Sequence, residues 1–173
     1  MLLRIVSIIF PLFAIVLAGW LYGRVKRPDM RFANEINMDV FVPALVFATL
    51  AGKSFDLASY QPLAIGALAV VLGSGLLAWP LARLMGVEAK TFVPPMMFNN
   101  SGNMGLPLAV LAFGEAALPA AVVLFLVENL LHFSLGAWML DHRARLSNLW
   151  RLPMMLAALA GLAVSLSGVA LWP

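Results

Sequence analysis

Long apolar stretches alternate with short clusters of charged residues along the chain. Each stretch approaches the ~20 residues that an α-helix needs to cross the hydrocarbon core of a bilayer. The pattern predicts six segments, at about residues 5–22, 37–51, 62–85, 91–113, 118–140 and 152–172. The second is short and contains Pro43, and the fourth is interrupted by polar residues. We therefore expect an all-α integral membrane protein with about six transmembrane helices, of which the fourth is broken.

The composition agrees with lipid as the main solvent. Hydrophobic residues make up 63% of the 173 residues and charged residues only 11%, whereas a soluble domain of average composition carries about 25% charged residues. The absence of cysteine excludes disulfides and thiolate metal sites, and two histidines make a histidine-rich metal centre an unfavoured interpretation. We therefore predict no cofactor and no bound metal.

The basic residues predict an orientation in the membrane, because cytoplasmic loops retain positive charge. The loops on one side of the membrane contain nine of the eleven basic residues, and those on the other side contain two. The nine are Arg24, Lys26, Arg27, Arg31, Arg83, Lys90, Arg143, Arg145 and Arg151, and the two are Arg4 and Lys53. This division places the amino terminus outside the cell membrane. The basic cluster after the first segment favours a spanning helix over a signal peptide. Because the basic residues are scattered over short loops, the net charge of +3 does not indicate a nucleic-acid surface.

The fourth segment is interrupted near its middle by five small or polar residues, Asn99, Asn100, Ser101, Gly102 and Asn103. These residue types are poor in helix interiors but good caps, and Pro107 suits the first turn of a new helix. We expect two half-helices that meet near mid-membrane, the second starting around residues 103–107. Its free N–H groups and the asparagine amides would hold a small carboxylate. Gly105 and Pro107 would mark the helix break. The alternative is a proline–glycine kink that packs against neighbouring helices, with the asparagines satisfied within the protein.

Ionisable residues in two segments are candidates for proton coupling. Glu128 and His132 lie four residues apart on one face of the fifth segment, and an ionisable group inside a span usually marks an ion or proton pathway or a partnered charge. The alternative is a buried Glu128–His132 pair that fixes helix packing. Asp39 either lies at the cytoplasmic interface or lines a cavity opposite the fourth segment. The sequence carries no metalloprotease or serine-hydrolase motif, so we do not expect an enzyme.

Glycines in two segments are expected to allow close helix packing. They are Gly66, Gly73 and Gly75 in the third segment and Gly161 and Gly168 in the sixth.

The polar interruption and its flanks resemble the auxin efflux carrier family of bacteria and plants. The elements that carry the resemblance are Asn100-Ser-Gly-Asn-Met-Gly-Leu-Pro-Leu108, Val42-Pro-Ala-Leu-Val-Phe47 upstream and Glu128-Asn129 downstream. The resemblance implies a secondary carrier of organic anions such as auxin, malate or malonate, built from two inverted five-helix repeats with crossing broken helices. It also implies that Asn100 is the substrate-facing asparagine and Pro107 the crossover proline.

This resemblance implies a division of the chain and a function. Residues 1–141 would form the first five-helix repeat, 142–151 a basic cytoplasmic linker, and 152–173 the first helix of a truncated second repeat. The chain would transport a small carboxylate by alternating access, with protons as a further candidate partner, and would pair with a second copy or a complementary half. The alternative is a truncated membrane module that does not transport and only packs with other helices or a partner half-carrier.

Overall fold

In a computed structural model that describes residues 2–52, 55–142 and 151–169, every secondary-structure element is helical. There are six helices in this part of the chain: α1 (Leu2–Lys26), α2 (residues 31–50), α3 (Leu57–Leu84), α4 in two halves, α5 (residues 115–140) and α6 (Pro153–Ser167). The halves are α4a (Ala89–Met97) and α4b (residues 101–113). The predicted all-helical fold with six helices and a broken fourth is confirmed.

Three of the helices contain a turn of π-helix, in which the backbone bonds run to the fifth residue back. These turns are Asn37–Phe41 in α2, Ser101–Gly105 at the start of α4b and His132–Gly136 in α5. Turns of π-helix are rare and frequently lie at functional sites. The three turns here fall on the helices that carry the candidate residues of the sequence analysis.

Three helices are long and apolar enough to cross a membrane: Leu3–Lys26, Leu57–Leu84 and Glu115–Leu140. The helix Pro153–Ser167 is apolar but shorter. Several positions used in the predictions lie outside the described residues: Lys53, Arg143 and Arg145 of the orientation count, most of the proposed linker, and the end of the sixth segment.

Two separate hydrophobic clusters hold the helices together. In the first, residues of α2, α4b, α5 and α6 pack around Val46, Leu50 and Val122, each at most 1% exposed. In the second, α3 packs against α4a and the end of α5 through Val71, Ala78, Val93 and Met97. Helix α1 packs along α4b, and none of its described side chains is fully buried. The break in α4 therefore joins two packing units.

The five glycines that are expected to allow close packing differ in their surroundings. A Cβ on Gly75 would meet the Met97 side chain, and one on Gly161 would lie 3.0 Å from Leu50 Cβ and 3.1 Å from the Phe47 carbonyl. At these two positions the predicted close packing is present. It is wrong for Gly66 and Gly73, around which there is open space. It is also wrong for Gly168, whose φ of +71° instead ends α6 in the left-handed conformation that favours glycine.

The contact of α6 with α2 gives a stability prediction. We expect Gly161→Ala to lower the free energy of unfolding by about 1–3 kcal/mol, because the added methyl group meets the backbone of α2. The matched variant Gly73→Ala should raise it by up to about 1 kcal/mol, since it gains helix propensity in open space. Thermal unfolding in detergent measures both, and a stabilising Gly161→Ala would contradict the packing.

The start of α3 gives a pH prediction. The Asp56 carboxylate accepts hydrogen bonds from the Ser59 hydroxyl and from the Ala58 N–H. These bonds, the one from Ser59 most strongly, lower the pKa of Asp56 from the usual 3.8. Because the folded pKa lies below the unfolded one, the carboxylate stabilises the fold above pH 3.8, and this is lost as the pH falls through the folded pKa. Asp56→Ala should therefore lower the melting temperature at about pH 7 and much less at about pH 3. An equal loss at both pH values would refute this cap.

Candidate functional site

The break in α4 is a short extended segment, residues 98–100, closed by an asparagine cap. Phe98 is extended at φ −113°, ψ 130°. Asn100 Oδ1 accepts the Asn103 N–H at 3.2 Å, and the Asn100 carbonyl accepts from Met104 at 3.2 Å and Gly105 at 3.0 Å. Asparagine is a favoured cap because its side chain replaces a missing helical acceptor. The predicted break is confirmed.

The second half-helix begins earlier than the sequence predicts. It starts at Ser101 rather than in residues 103–107, and it runs through Gly105 and Pro107 without interruption. The cap at Asn100 explains the early start. The π turn then places Pro107 in the first turn of regular α-helix, where a residue without an N–H is tolerated. The expectation that Gly105 and Pro107 form the break is therefore wrong.

Two N–H groups at the start of α4b have no hydrogen-bond acceptor among the described residues. Ser101 and Gly102 donate no hydrogen bond within the described residues, as expected for a first helical turn. Gly102 also faces the ring of Phe125, so closely that a Cβ there would lie 2.8 Å from Phe125 Cε2. Glycine at this position therefore lets α5 approach the break.

Glu128 ties the break to α5. Among the described residues, Glu128 is the only charged residue whose side chain is buried, with 4% of its surface exposed. Its Oε1 accepts the backbone N–H of Asn99 at 2.6 Å, while its Oε2 is buried without a hydrogen-bond partner in the described part of the chain. One carboxylate oxygen therefore has a structural partner and the other has none.

Glu128 lines a cleft of about 520 Å³ between α3, α4 and α5, which we call the α3 cleft. Its polar lining comes from Asn99, Ser101 and Glu128. The rest is formed by small and apolar residues: Pro62, Leu63, Gly66, Ala67, Val70, Val71, Gly105, Ala109, Ala121 and Leu124. No Lys or Arg is among these described lining residues. The size and the mixture of an apolar wall with a few polar groups are typical of a small-molecule site.

His132 does not pair with Glu128, so the buried-pair interpretation is wrong. Its ring stacks on Phe98, with the centroids 4.7 Å apart and the planes 9° from parallel, and it lines a second cleft of about 590 Å³ with Glu88 and Lys90. The cause is the extended conformation of Phe98, which carries its ring against α5. A Cβ on Gly136 would lie 2.8 Å from that ring. Phe98 thus lies beside both Asn99 of the α3 cleft and His132 of the second cleft.

A residue of α2 reaches the break, and it is Asn37 rather than Asp39. Asn37 Nδ2 donates to Asn103 Oδ1 at 3.5 Å, and both line a groove of about 600 Å³ between α1, α2 and α4b, here called the α1 groove. Asp39 is exposed and belongs to the lining of neither cleft nor the groove. The cavity interpretation of Asp39 is therefore wrong. A position two residues further on lies near the opposite side of a helix.

The predicted site residues fall on two faces of α4. Asn99, Ser101, Gly105 and Glu128 line the α3 cleft, while Gly102, Asn103 and Pro107 line the α1 groove. Asn100 lies between the two faces with its side chain in the cap. Within the described residues, no group of three or more His, Asp or Glu side chains is placed to hold a metal ion.

Comparison with known proteins gives no match: the chain matches no protein-family model, no curated protein and no solved structure. The resemblance to auxin efflux carriers stays a prediction that the sequence motifs alone carry.

Removal of the Glu128 side chain tests the tie between the break and α5. We expect Glu128→Ala to lower the free energy of unfolding by about 1–3 kcal/mol, because the Asn99 N–H loses its acceptor. Glu128→Gln keeps an acceptor at that position and should unfold close to the unchanged protein. Melting temperatures in detergent compare the three proteins. Equal losses in both variants would show that the hydrogen bond does not hold the break.

Proposed function

We propose that the chain is a membrane-embedded carrier of small organic anions, related to the auxin efflux carriers, that binds its substrate at the break in α4. The observation that carries the proposal is the buried Glu128 carboxylate, with one oxygen unpaired, in a cleft beside the free helix start of α4b. A buried polar group without a partner is unfavourable, and in a membrane carrier such a group usually belongs to a substrate or ion pathway.

The membrane setting is supported by the helix lengths and by the exposed apolar surface. Besides the three long apolar helices, large hydrophobic side chains are exposed along α1 and α3, among them Phe10 at 66% and Leu76 at 74%. Arg24 stacks over Trp20 at 4.9 Å and Arg83 over Trp79 at 3.9 Å, near the carboxyl ends of these two helices. Such pairs suit the interface between lipid and water, and both ends are cytoplasmic in the proposed orientation, with the amino terminus outside.

The start of α4b supplies the groups that would hold a carboxylate. The start of α4b carries the positive end of the helix dipole, and the unpaired N–H group of Ser101 lies at this end beside the α3 cleft. This end favours an anion by about 0.3–1 kcal/mol, or up to ~2 kcal/mol where partly buried. The Ser101 side chain and Asn99 line the cleft at this end and add hydrogen-bonding groups without a permanent charge. Discontinuous helices place anionic substrates at such half-helix ends in known carriers.

The two packing units supply a route to alternating access. Helix α4a packs in the cluster with α3 and the end of α5, and α4b packs in the cluster with α2, α6 and the first half of α5. The wall of the α3 cleft is formed by residues from both units. Because α5 packs in both clusters, a rocking motion of the units about residues 98–100 would bend or shift α5 as well. Such a motion would change the shape of the cleft, as expected for a carrier.

A second copy of the chain, or a complementary half-carrier, would complete the site. The α1 groove exposes the amides of Asn37 and Asn103 between apolar residues such as Ile15 and Leu111. Amides that face lipid are costly, so we propose that a partner helix covers this groove. If a second copy covers this groove, the chain should have a larger size-exclusion mass in detergent than an Asn37→Leu variant, which lacks one of these amides.

One observation favours the second candidate, a membrane module that packs with other helices without transport. Three of the polar groups at the break already have partners within the chain: Asn100 caps Asn103, Asn103 accepts from Asn37, and the Asn99 N–H bonds Glu128. A purely structural kink requires these bonds. It does not require the unpaired oxygen of Glu128 or the α3 cleft beside it, and for this reason we prefer the carrier.

Asn100 provides the test of the carrier. In liposomes that contain the full chain, we expect Asn100→Ala to lower the uptake of radiolabelled malonate at least about tenfold, or ~1.4 kcal/mol, because the cap that shapes the anion site is lost. The matched variant is Asn129→Ala, since Asn129 donates to the carbonyl of Phe125 in its own helix at 2.8 Å and lies outside the α3 cleft. It should transport normally. Uptake by Asn100→Ala equal to that of the unchanged chain would remove Asn100 from the site, and no uptake by any of the proteins would favour the module.

A further inference from the structure

Beside the α3 cleft, the Glu128 carboxylate has one oxygen, Oε2, without a hydrogen-bond partner in the part of the chain that the structure describes. Oε2 is buried, and no donor within the described residues reaches it. Its neighbour Oε1 is already held by the Asn99 N–H at 2.6 Å. A buried oxygen without a hydrogen-bond partner is unfavourable. The structure therefore requires a further partner for Oε2.

No neighbouring cation supplies that partner. The α3 side of the cleft contributes Pro62, Leu63, Gly66, Ala67, Val70 and Val71, and α4b contributes the uncharged Ser101, Gly105 and Ala109. On α5, the nearest titratable residue in sequence is His132, whose ring is stacked on Phe98 in the other cleft. The described groups that face Glu128 from these three helices are therefore all uncharged.

A bound substrate anion makes the same requirement stronger. In the proposed function the carboxylate of the substrate lies in this cleft, at the start of α4b. Two ionised carboxylates at close range repel each other, whereas a protonated and an ionised carboxylate share a strong hydrogen bond. The second arrangement gives Oε2 its partner and places a donor on the substrate at the same time.

We infer that Glu128 is the proton site of the carrier, and that its Oε2–H group donates a hydrogen bond to the carboxylate of the substrate in the α3 cleft. This inference rests on the proposed function. A proton from water on the loading side binds Oε2 as the substrate enters, and it leaves to water on the other side with the substrate. One proton therefore moves with each substrate molecule, and the Oε1 bond to Asn99 remains throughout.

The experiment uses the full chain in liposomes that contain a pH-sensitive dye, with radiolabelled malonate as the probe. For the unchanged chain we expect malonate uptake to acidify the interior in proportion to the malonate that enters. In Glu128→Gln the side-chain amide imitates the protonated acid but cannot release a proton. This variant should lose net uptake at least tenfold, and its remaining exchange of external for internal malonate should no longer vary with pH.

The controls separate the possible failures. Glu35→Gln alters an exposed carboxylate of α2 that pairs with Arg31 at 2.9 Å, and it should keep both uptake and acidification. Liposomes without protein correct for passive entry of the acid. Uptake by the unchanged chain without acidification would overturn the proton site and leave the carrier intact, as would acidification that persists in Glu128→Gln. Absence of malonate uptake and exchange in the unchanged chain would overturn both proposals.

Discussion

The hydrogen bond from the Asn99 backbone to Glu128 fixes the position of the break in α4 against the middle of α5. At the break a helix gives up its own hydrogen bonds, and the chain must find other partners for the exposed backbone groups. Glu128 satisfies one of them from the neighbouring helix, and Asn100 satisfies others from within. The α3 cleft, the free N–H groups and the stacking of Phe98 on His132 all depend on where this bond holds the extended segment.

The same bond uses a carboxylate where an amide would serve. A glutamine could accept the Asn99 N–H equally well, and it would bring no ionisable group into an apolar interior. The packing of α4 against α5 therefore does not require an ionisable side chain in the place of Glu128. Its second oxygen faces no donor, and it is the feature that distinguishes a candidate carrier site from a structural kink.

The sequence predicts the helices and the break well because both depend on local chemistry. Apolar stretches and the run Asn99 to Asn103 are visible without knowledge of neighbouring helices. The partners of the polar residues are a different matter. The spacing of Glu128 and His132 shows that they share a face, but it does not show that Phe98 lies against His132 and that Glu128 meets the Asn99 backbone. These contacts depend on tertiary packing.

The choice between Asn37 and Asp39 illustrates the same limit. Both lie in one polar cluster, and a charge is the more conspicuous signal. The helical spacing predicts the residue that reaches the groove better than the charge does. Asn37 lines the α1 groove together with Phe41 and Leu45, which lie four and eight residues further on. For Phe98, an aromatic residue among many apolar ones, the sequence offers no comparable signal.

In the proposed membrane carrier, the two halves of α4 would also affect how the chain enters the bilayer. At 1.5 Å per residue, α4a is about 13 Å long and α4b about 20 Å, and neither alone spans a hydrocarbon core of ~30 Å. The polar segment between them acquires its partner only when Glu128, some thirty residues later in the chain, has been synthesised. In that carrier, α4 would therefore enter the bilayer together with α5 as a hairpin, rather than before α5.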